Sequence, residues 1–383
     1  MRKPRLMTPG PSPVPPDVLL ELARPVEHHR TAAFRTVLAT VQEGLRWLFD
    51  TASCPLVLTA SGTGAMEAAA ANLIRPGDRA LVAVAGRFGA RWSAICRRLG
   101  AEVVEVQVAP GESVMPDALD DALRQSPGVE LVFATHCETS TGAAHDVRAL
   151  AAVAHRHGAL FVLDSVSAAG GMELRVDQWQ IDLVVAGSQK ALMTPPGLAF
   201  VVVRDPAWTR IRAHPRRPFY FDLVALEKKA QVPDTPFTPA HTLVRALARA
   251  LERLRDEGRE AVWARHRRMA AACRAGVQAL GLSLFARRPA EVVTAVRAPE
   301  SIDVTELLRW LEKRYGLKFA GGQDELKGKI FRIAHMGYMD ELDVVAAVAA
   351  LEEALAQLGW KRAGDGRAVQ AAQRALLQRA AEC

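Results

Sequence analysis

Only three tyrosines occur in 383 residues, and the basic side chains are not interleaved with aromatics. The formal charge of +7 comes in short clusters such as Arg210, Arg212, Arg216 and Arg217, then Arg265, Arg267 and Arg268. This pattern reads as a solvated basic face and argues against a nucleic-acid groove, which needs stacking platforms among its cations. The cysteines, Cys54, Cys96, Cys137, Cys273 and Cys383, are odd in number and form no CxxC pair. A disulfide framework, a zinc site and a cysteine cluster for iron–sulfur ligation are all disfavoured, and a reducing compartment is expected. No segment approaches the ~18 uninterrupted apolar residues of a membrane helix. The opening MRKPRLMTPGPSPVPP lacks an apolar h-region, so a cytoplasmic location is expected. Neither a GxGxxG fingerprint nor the GK[ST] of a P-loop accompanies the one glycine-rich turn, SGTGAME.

Half of the residues are hydrophobic and 24% are charged, an ordinary globular balance with enough length for two domains. The Pro-rich start predicts an extended arm over 1–16. Between Phe34 and Phe49 the residues Val37, Leu38, Val41, Leu45 and Leu48 recur at helical spacing. Short apolar runs then alternate with helical stretches: PLVLT, ALVAVA, EVVEVQV, ELVFAT, ALFVLD, DLVVAG and LAFVVV. Helices around 116–125 and 145–157 fit between three of them. Such alternation predicts an α/β fold with a largely parallel sheet, helices covering both faces. After about Arg204 a loop-like region rich in Pro and aromatics leads to long helices over roughly 240–280. A smaller α+β unit follows, with EVVTAV, a helix at 304–315, KIFRIAHMG and a helix at 340–358. The tail from Lys361 reads as a loosely attached helix. The expected division is an arm at 1–16, a large domain at 17–257 and a small domain at 258–383.

In an open α/β sheet, ligands bind where strands hand over to loops at their carboxyl ends. Three such ends carry reactive groups. Lys190 follows DLVVAG, an amine where a buried strand gives way to a loop. Asp164 closes ALFVLD, a carboxylate at the floor of an apolar cleft that suits a positive charge there. In TASGTGAMEAAAANL a glycine-rich turn opens a helix, and backbone N–H groups at a helix N-terminus attract anions. Glu67 stands where a third fingerprint glycine would be, so phosphate is expected in preference to a dinucleotide. Amine, carboxylate and phosphate cradle together describe pyridoxal 5′-phosphate, which needs a Schiff-base lysine, an acid against its ring nitrogen and a phosphate seat.

The motifs TPGPSPVP, HHRTAAF, SGTGAMEAA, GRFGARW, HCETSTG, LDSVSAAGG, AGSQK, PPGLAF, TPFTP and KIFRIAHMG, in this order, resemble class V (fold-type I) aminotransferases of the alanine–glyoxylate and serine–glyoxylate branch. They also resemble sequences labelled as the small subunit of soluble hydrogenases. The resemblance runs from about residue 5 to 358. It implies that Lys190 carries the cofactor and shuttles a proton, that Asp164 pairs with the pyridine nitrogen, and that Val166 and Phe88 pack on opposite faces of the ring. Ser61, Gly62 and Thr63 hold the phosphate with Gln189 nearby, and Thr139 approaches the ring hydroxyl. Thr238 of TPFTP reaches the phosphate from a second subunit, helped by Thr235 where relatives carry a tyrosine, which implies a homodimer with shared sites. Arg332 binds the substrate carboxylate, Gly10 lines the entrance, and His136 is a hydrogen-bonded neighbour.

The expected activity is transfer of the amino group of alanine or serine to a keto acid such as glyoxylate or pyruvate. Two rivals remain. A cysteine desulfurase or related lyase would need a nucleophilic cysteine beyond Lys190, where only Cys273, inside an expected helix, and the terminal Cys383 stand. An aminotransferase-like subunit of a hydrogenase-type redox complex would need no turnover of its own.

Overall fold

The computed structural model describes residues 3–380, so Cys383 and the first two residues of the arm lie outside the described residues. All seven apolar runs form strands of one sheet: β1 (Leu56–Thr59), β2 (Arg79–Val84), β3 (Glu102–Gln107), β4 (Val129–Thr135), β5 (Leu160–Asp164), β6 (Leu183–Gly187) and β7 (Leu198–Val203). Their order is β1-β7-β6-β5-β4-β2-β3. Neighbours pair in parallel except β7, which runs antiparallel to both β6 and β1. The carboxyl ends of β1, β4, β5 and β6 therefore share one edge of the sheet.

Side chains alternate between the faces of a strand, and here each set finds a separate core. On β2, Leu81 and Ala83 pack with the helix Ala32–Phe49, whereas Ala80, Val82 and Val84 pack with the helices Gly62–Leu73 and Arg87–Arg98. Burial on both faces is why these strands read as continuous apolar runs. The two edge strands are less covered: β3 has no buried residue and carries Glu102 and Glu105, and β1 exposes Thr59.

A second, antiparallel sheet has the order β8 (Val293–Arg297), β10 (Ile330–Ala334), β9 (Ala320–Gly321). Its core joins Phe331 and Ile333 to Leu307, Leu311, Val344, Val348 and Leu351. The arm is clipped to this unit: Arg5 and Leu6 pair in parallel with Leu317 and Lys318, and Met7 is buried in its core. The long helical region breaks at Gly258, whose φ of +89° separates the helices His241–Glu257 and Arg259–Ala279.

Two expectations need correction. The region after Arg204 is not only loop: it holds helices Asp205–Arg212 and Leu223–Ala230. Pro206 suits a helix's first turn, and Asp222 caps the second by accepting from Val224 N and Ala225 N. Nor is the tail loosely held. Its helix, Arg367–Ala380, packs on Arg259–Ala279 with Ala368 and Ala372 buried. The buried Glu352 carboxylate accepts N–H bonds from Gly364, Asp365, Gly366 and Ala368, fixing the turn that starts it.

Candidate active site

The carboxyl edge of the sheet opens into a cavity of about 130 Å³, lined by Ser61, Gly62, Thr63, Phe88, Thr139, Asp164, Val166, Gln189 and Lys190, among others. Lys190 sits in the turn after β6. The apolar residues behind it anchor that turn, with Ala191, Leu192 and Met193 all buried. The arm holds it from the other side: Ser12 Oγ donates to Lys190 O at 2.6 Å, and Ser12 N donates to Gln189 O at 3.0 Å. Lys190 Nζ donates to Pro9 O. The roof is close enough that a Cβ on Gly10, whose φ is +122°, would stand 2.6 Å from Nζ. Only glycine fits this approach.

Asp164 ends β5 with its side chain buried, and its Oδ1 accepts from Val166 N at 2.8 Å. Desolvation pushes its carboxyl up to about 6, against the pull of the Val166 N–H. The same desolvation lowers the Lys190 amine to about 8, with Cys137 and Asp164 opposing it and Arg332 and Arg91 reinforcing it. Lys190 and Arg91 offset part of that desolvation but neither forms an ion pair with Asp164 among the described residues, and a protonated ring nitrogen would be a cation that does. Ser61 caps the helix Gly62–Leu73, its Oγ accepting from Gly64 N at 3.3 Å. Among the described residues nothing accepts the N–H of Gly62 or Thr63. Gln189 Oε1 is likewise buried without a partner. Val166 lies flat against Gly62, where a Cβ would meet its Cγ2 at 2.8 Å.

The opposite wall is built by the 137–140 segment. Glu138, fully buried, accepts from Phe88 N and Gly89 N, each at 3.0 Å, and from Ser140 N and Oγ. Ser140 Oγ in turn accepts from Arg87 N at 3.1 Å. The helix Arg87–Arg98 has no capping side chain of its own, so Glu138 and Ser140 cap it from outside and thereby orient Phe88. Thr139 Oγ1 donates to Ser167 Oγ at 2.6 Å. Arg332, on β10, lies beside the cavity wall, not in it. It donates Nη1–H to Thr139 O at 3.0 Å and its Nε and Nη2 hydrogens to Gly321 O at 3.0 and 2.7 Å. Burial lowers its guanidinium to about 10. His136 is a neutral neighbour, Nδ1 3.3 Å from Ser165 Oγ, its imidazole lowered to about 3 by desolvation.

Within one chain, Thr235 and Thr238 do not reach this cavity. They border a separate surface groove with Tyr220, Phe221 and Phe237. Sequence reasoning passed over Met66, Arg91 and Ser167, which line the cavity, and Glu138 behind it. Arg91 lies one helical turn beyond Phe88 in GRFGARW and so shares its face, but among the several arginines of that helix nothing in the sequence sets it apart.

Unused N–H groups at a helix start, a carboxyl without an ion pair and a depressed amine around one flat slot fit pyridoxal phosphate. Fold and site together define a pyridoxal-phosphate-dependent transferase of fold type I. The model of the family Aminotransferase class-V matches residues 8–328. The chain is 42% identical to the small subunit of a soluble hydrogenase from Synechococcus over 98% of both proteins. It is 33% identical to the serine–glyoxylate aminotransferase of Methylorubrum extorquens, covering 93% of this chain and 92% of the other. The structure of pyridoxamine–pyruvate aminotransferase from Mesorhizobium loti superposes with a TM-score of 0.94 at 32% identity, over 99% of this chain and all of that one (100%). The chain belongs to the class V aminotransferases. A desulfurase nucleophile finds no support among the described cysteines: Cys273 is buried inside its helix, its thiol pushed up to about 11 by desolvation.

Proposed function

We propose that this enzyme transfers the amino group of a small amino acid, alanine or serine, to a keto acid such as glyoxylate or pyruvate. The observation that carries this is the convergence of Lys190, Asp164, Phe88, Val166 and the unpartnered N–H groups of Gly62 and Thr63 on one cavity. Bound pyridoxal phosphate supplies a cationic ring that accepts the electron pair left when the donor's Cα–H bond breaks. Asp164 keeps the ring nitrogen charged. Lys190 Nζ, a neutral amine above about pH 8, takes the Cα proton, holds it and returns it. Arg332 uses three of its five N–H donors on carbonyls, which leaves one hydrogen on each terminal nitrogen. That pair forms the fork that receives an α-carboxylate in bidentate fashion and orients the donor. Thr139 would approach the ring hydroxyl of bound cofactor, and Gln189 with Ser61, Gly62 and Thr63 would hold its phosphate.

A homodimer with shared sites belongs to the same reading. Thr238 and Thr235 sit in a surface groove beside the exposed Phe219 and Tyr220, where a second copy would receive them near its phosphate seat. The large unit at 17–257 would hold the cofactor, the small unit at 258–383 would bring Arg332, and the arm at 1–16 would bridge them. The unpaired cysteines fit a cytoplasmic setting.

The test is a panel of amino donors against glyoxylate and pyruvate, followed by the absorbance of the cofactor. Alanine or serine should convert the bound chromophore in the absence of acceptor, and the acceptor should restore it. Cofactor that stays bound but unchanged with every donor would replace this reading with a non-catalytic subunit. Lys190→Ala should leave no cofactor that borohydride can fix to the chain.

A further inference from the structure

Two of the four arginines of the helix Arg87–Arg98 have a carboxylate: Arg87 lies 3.5 Å from Asp324 and Arg97 2.8 Å from Glu105, while Arg98 is exposed on the surface. Arg91 differs. It lines the cavity, yet among the described residues no carboxylate comes within ion-pair distance of it. Its Nη1 donates to Thr63 Oγ1 at 2.9 Å, and its Cζ stands 4.9 Å over the centre of the Phe88 ring. An arginine in a cavity wall without an acid to balance it is suited to an anionic ligand. Thr63 is the second residue of the helix Gly62–Leu73, so this guanidinium stands at the end of the helix whose first N–H groups are unused.

The charges of the cavity narrow the choice of anion. Lys190 and Arg91 are the cations in its wall, and Asp164 is its carboxylate. Under the function proposed above, on which this inference rests, Asp164 is committed to the ring nitrogen and Lys190 to the cofactor's aldehyde. Arg91 is then balanced only by the phosphate. By accepting from Arg91, the Thr63 hydroxyl also keeps its own hydrogen free to donate, and the bond polarises it toward doing so.

We infer that Arg91 is a further phosphate-binding residue, which completes with the Thr63 hydroxyl and the helix N-terminus a seat for the dianion of the cofactor.

The experiment is equilibrium binding to the apoenzyme at low salt, comparing pyridoxal 5′-phosphate with pyridoxal, which has the same ring and aldehyde but no phosphate. Arg91→Met should weaken the phosphorylated ligand by about 10- to 100-fold, the range of a charge-assisted hydrogen bond. It should leave pyridoxal within about twofold, well under one such bond. Arg91→Lys, which keeps the charge but not the fork, should fall between. Equal loss for both ligands would mean that Arg91 only orders the wall through Thr63 and Phe88, and the inference would fail. No loss for either would also overturn it, as would loss seen only in KM for a donor with a second carboxylate. A wild-type chain that took up neither ligand would overturn the proposed function as well, whereas normal wild-type uptake with an indifferent Arg91→Met would overturn this inference alone.

Discussion

At the scale of single residues, Lys190 and Asp164 are each displaced toward neutrality by the same burial. The amine lies near 8 instead of its usual value of about 10.4, because a desolvated ammonium is costly and two guanidinium groups repel it. The sign sets a pH dependence. Below about 8 the amine is mostly protonated and cannot attack an aldehyde; above it the neutral form dominates. The rate of cofactor uptake by the apoenzyme, measured by stopped-flow absorbance, should therefore rise with pH to a midpoint near 8 and then level off. A midpoint near 10.4 would mean that the lysine is well solvated. Both residues were legible in the sequence because each ends an apolar run with a charge, an expensive placement that asks for a reason. Arg91 was not, since one arginine among many on an amphipathic helix carries no such mark. Its lack of a carboxylate appears only when the chain is folded.

Among the elements, the strands were the most legible, since burial on both faces writes them as unbroken apolar runs. The capping of the helix Arg87–Arg98 was not, because its cap lies some fifty residues away in sequence, at Glu138. A carboxylate can accept from Phe88 N and Gly89 N with one oxygen and from Ser140 with the other. An amide at 138 can accept only with its one oxygen and leaves an N–H₂ facing donors. Glu138→Gln should cost about 1–3 kcal/mol of stability and should reduce the visible circular dichroism of bound cofactor, because Phe88 is no longer held at a fixed angle. A change in stability with an unaltered dichroism band would limit Glu138 to a structural role. The C-terminal helix tells the same story. Its Ala-rich sequence suggested weak attachment, but the turn before it is tied by four N–H bonds to the buried Glu352. Glu352→Ala should make the 361–380 segment the first site of limited proteolysis, while the wild-type helix resists under the same conditions. Equal resistance of both would mean that packing of Ala368 and Ala372 alone holds it.

The whole molecule raises a question that one chain does not answer by itself. Phe219 is 87% exposed, and Tyr220 stacks on Phe237 at the surface with ring centroids 5.1 Å apart. Leu20 and Val26 are also exposed, at 68% and 74%. Aromatics are favoured where an apolar surface is covered on association, and this aromatic group adjoins the groove that holds Thr235 and Thr238. If a second copy covers it and receives these hydroxyls beside its phosphate, cofactor binding and assembly are thermodynamically linked. Each then strengthens the other by the same factor. Dilution of the holoenzyme should release cofactor as the dimer dissociates, and added cofactor should shift the sedimentation equilibrium back toward dimer. Thr238→Ala should weaken this linkage without changing the dimer's behaviour in the absence of cofactor, whereas Phe219→Glu should disrupt assembly itself. A monomer that keeps its full cofactor affinity at every concentration would show that each chain closes its site alone, and would leave the exposed aromatics to some other purpose.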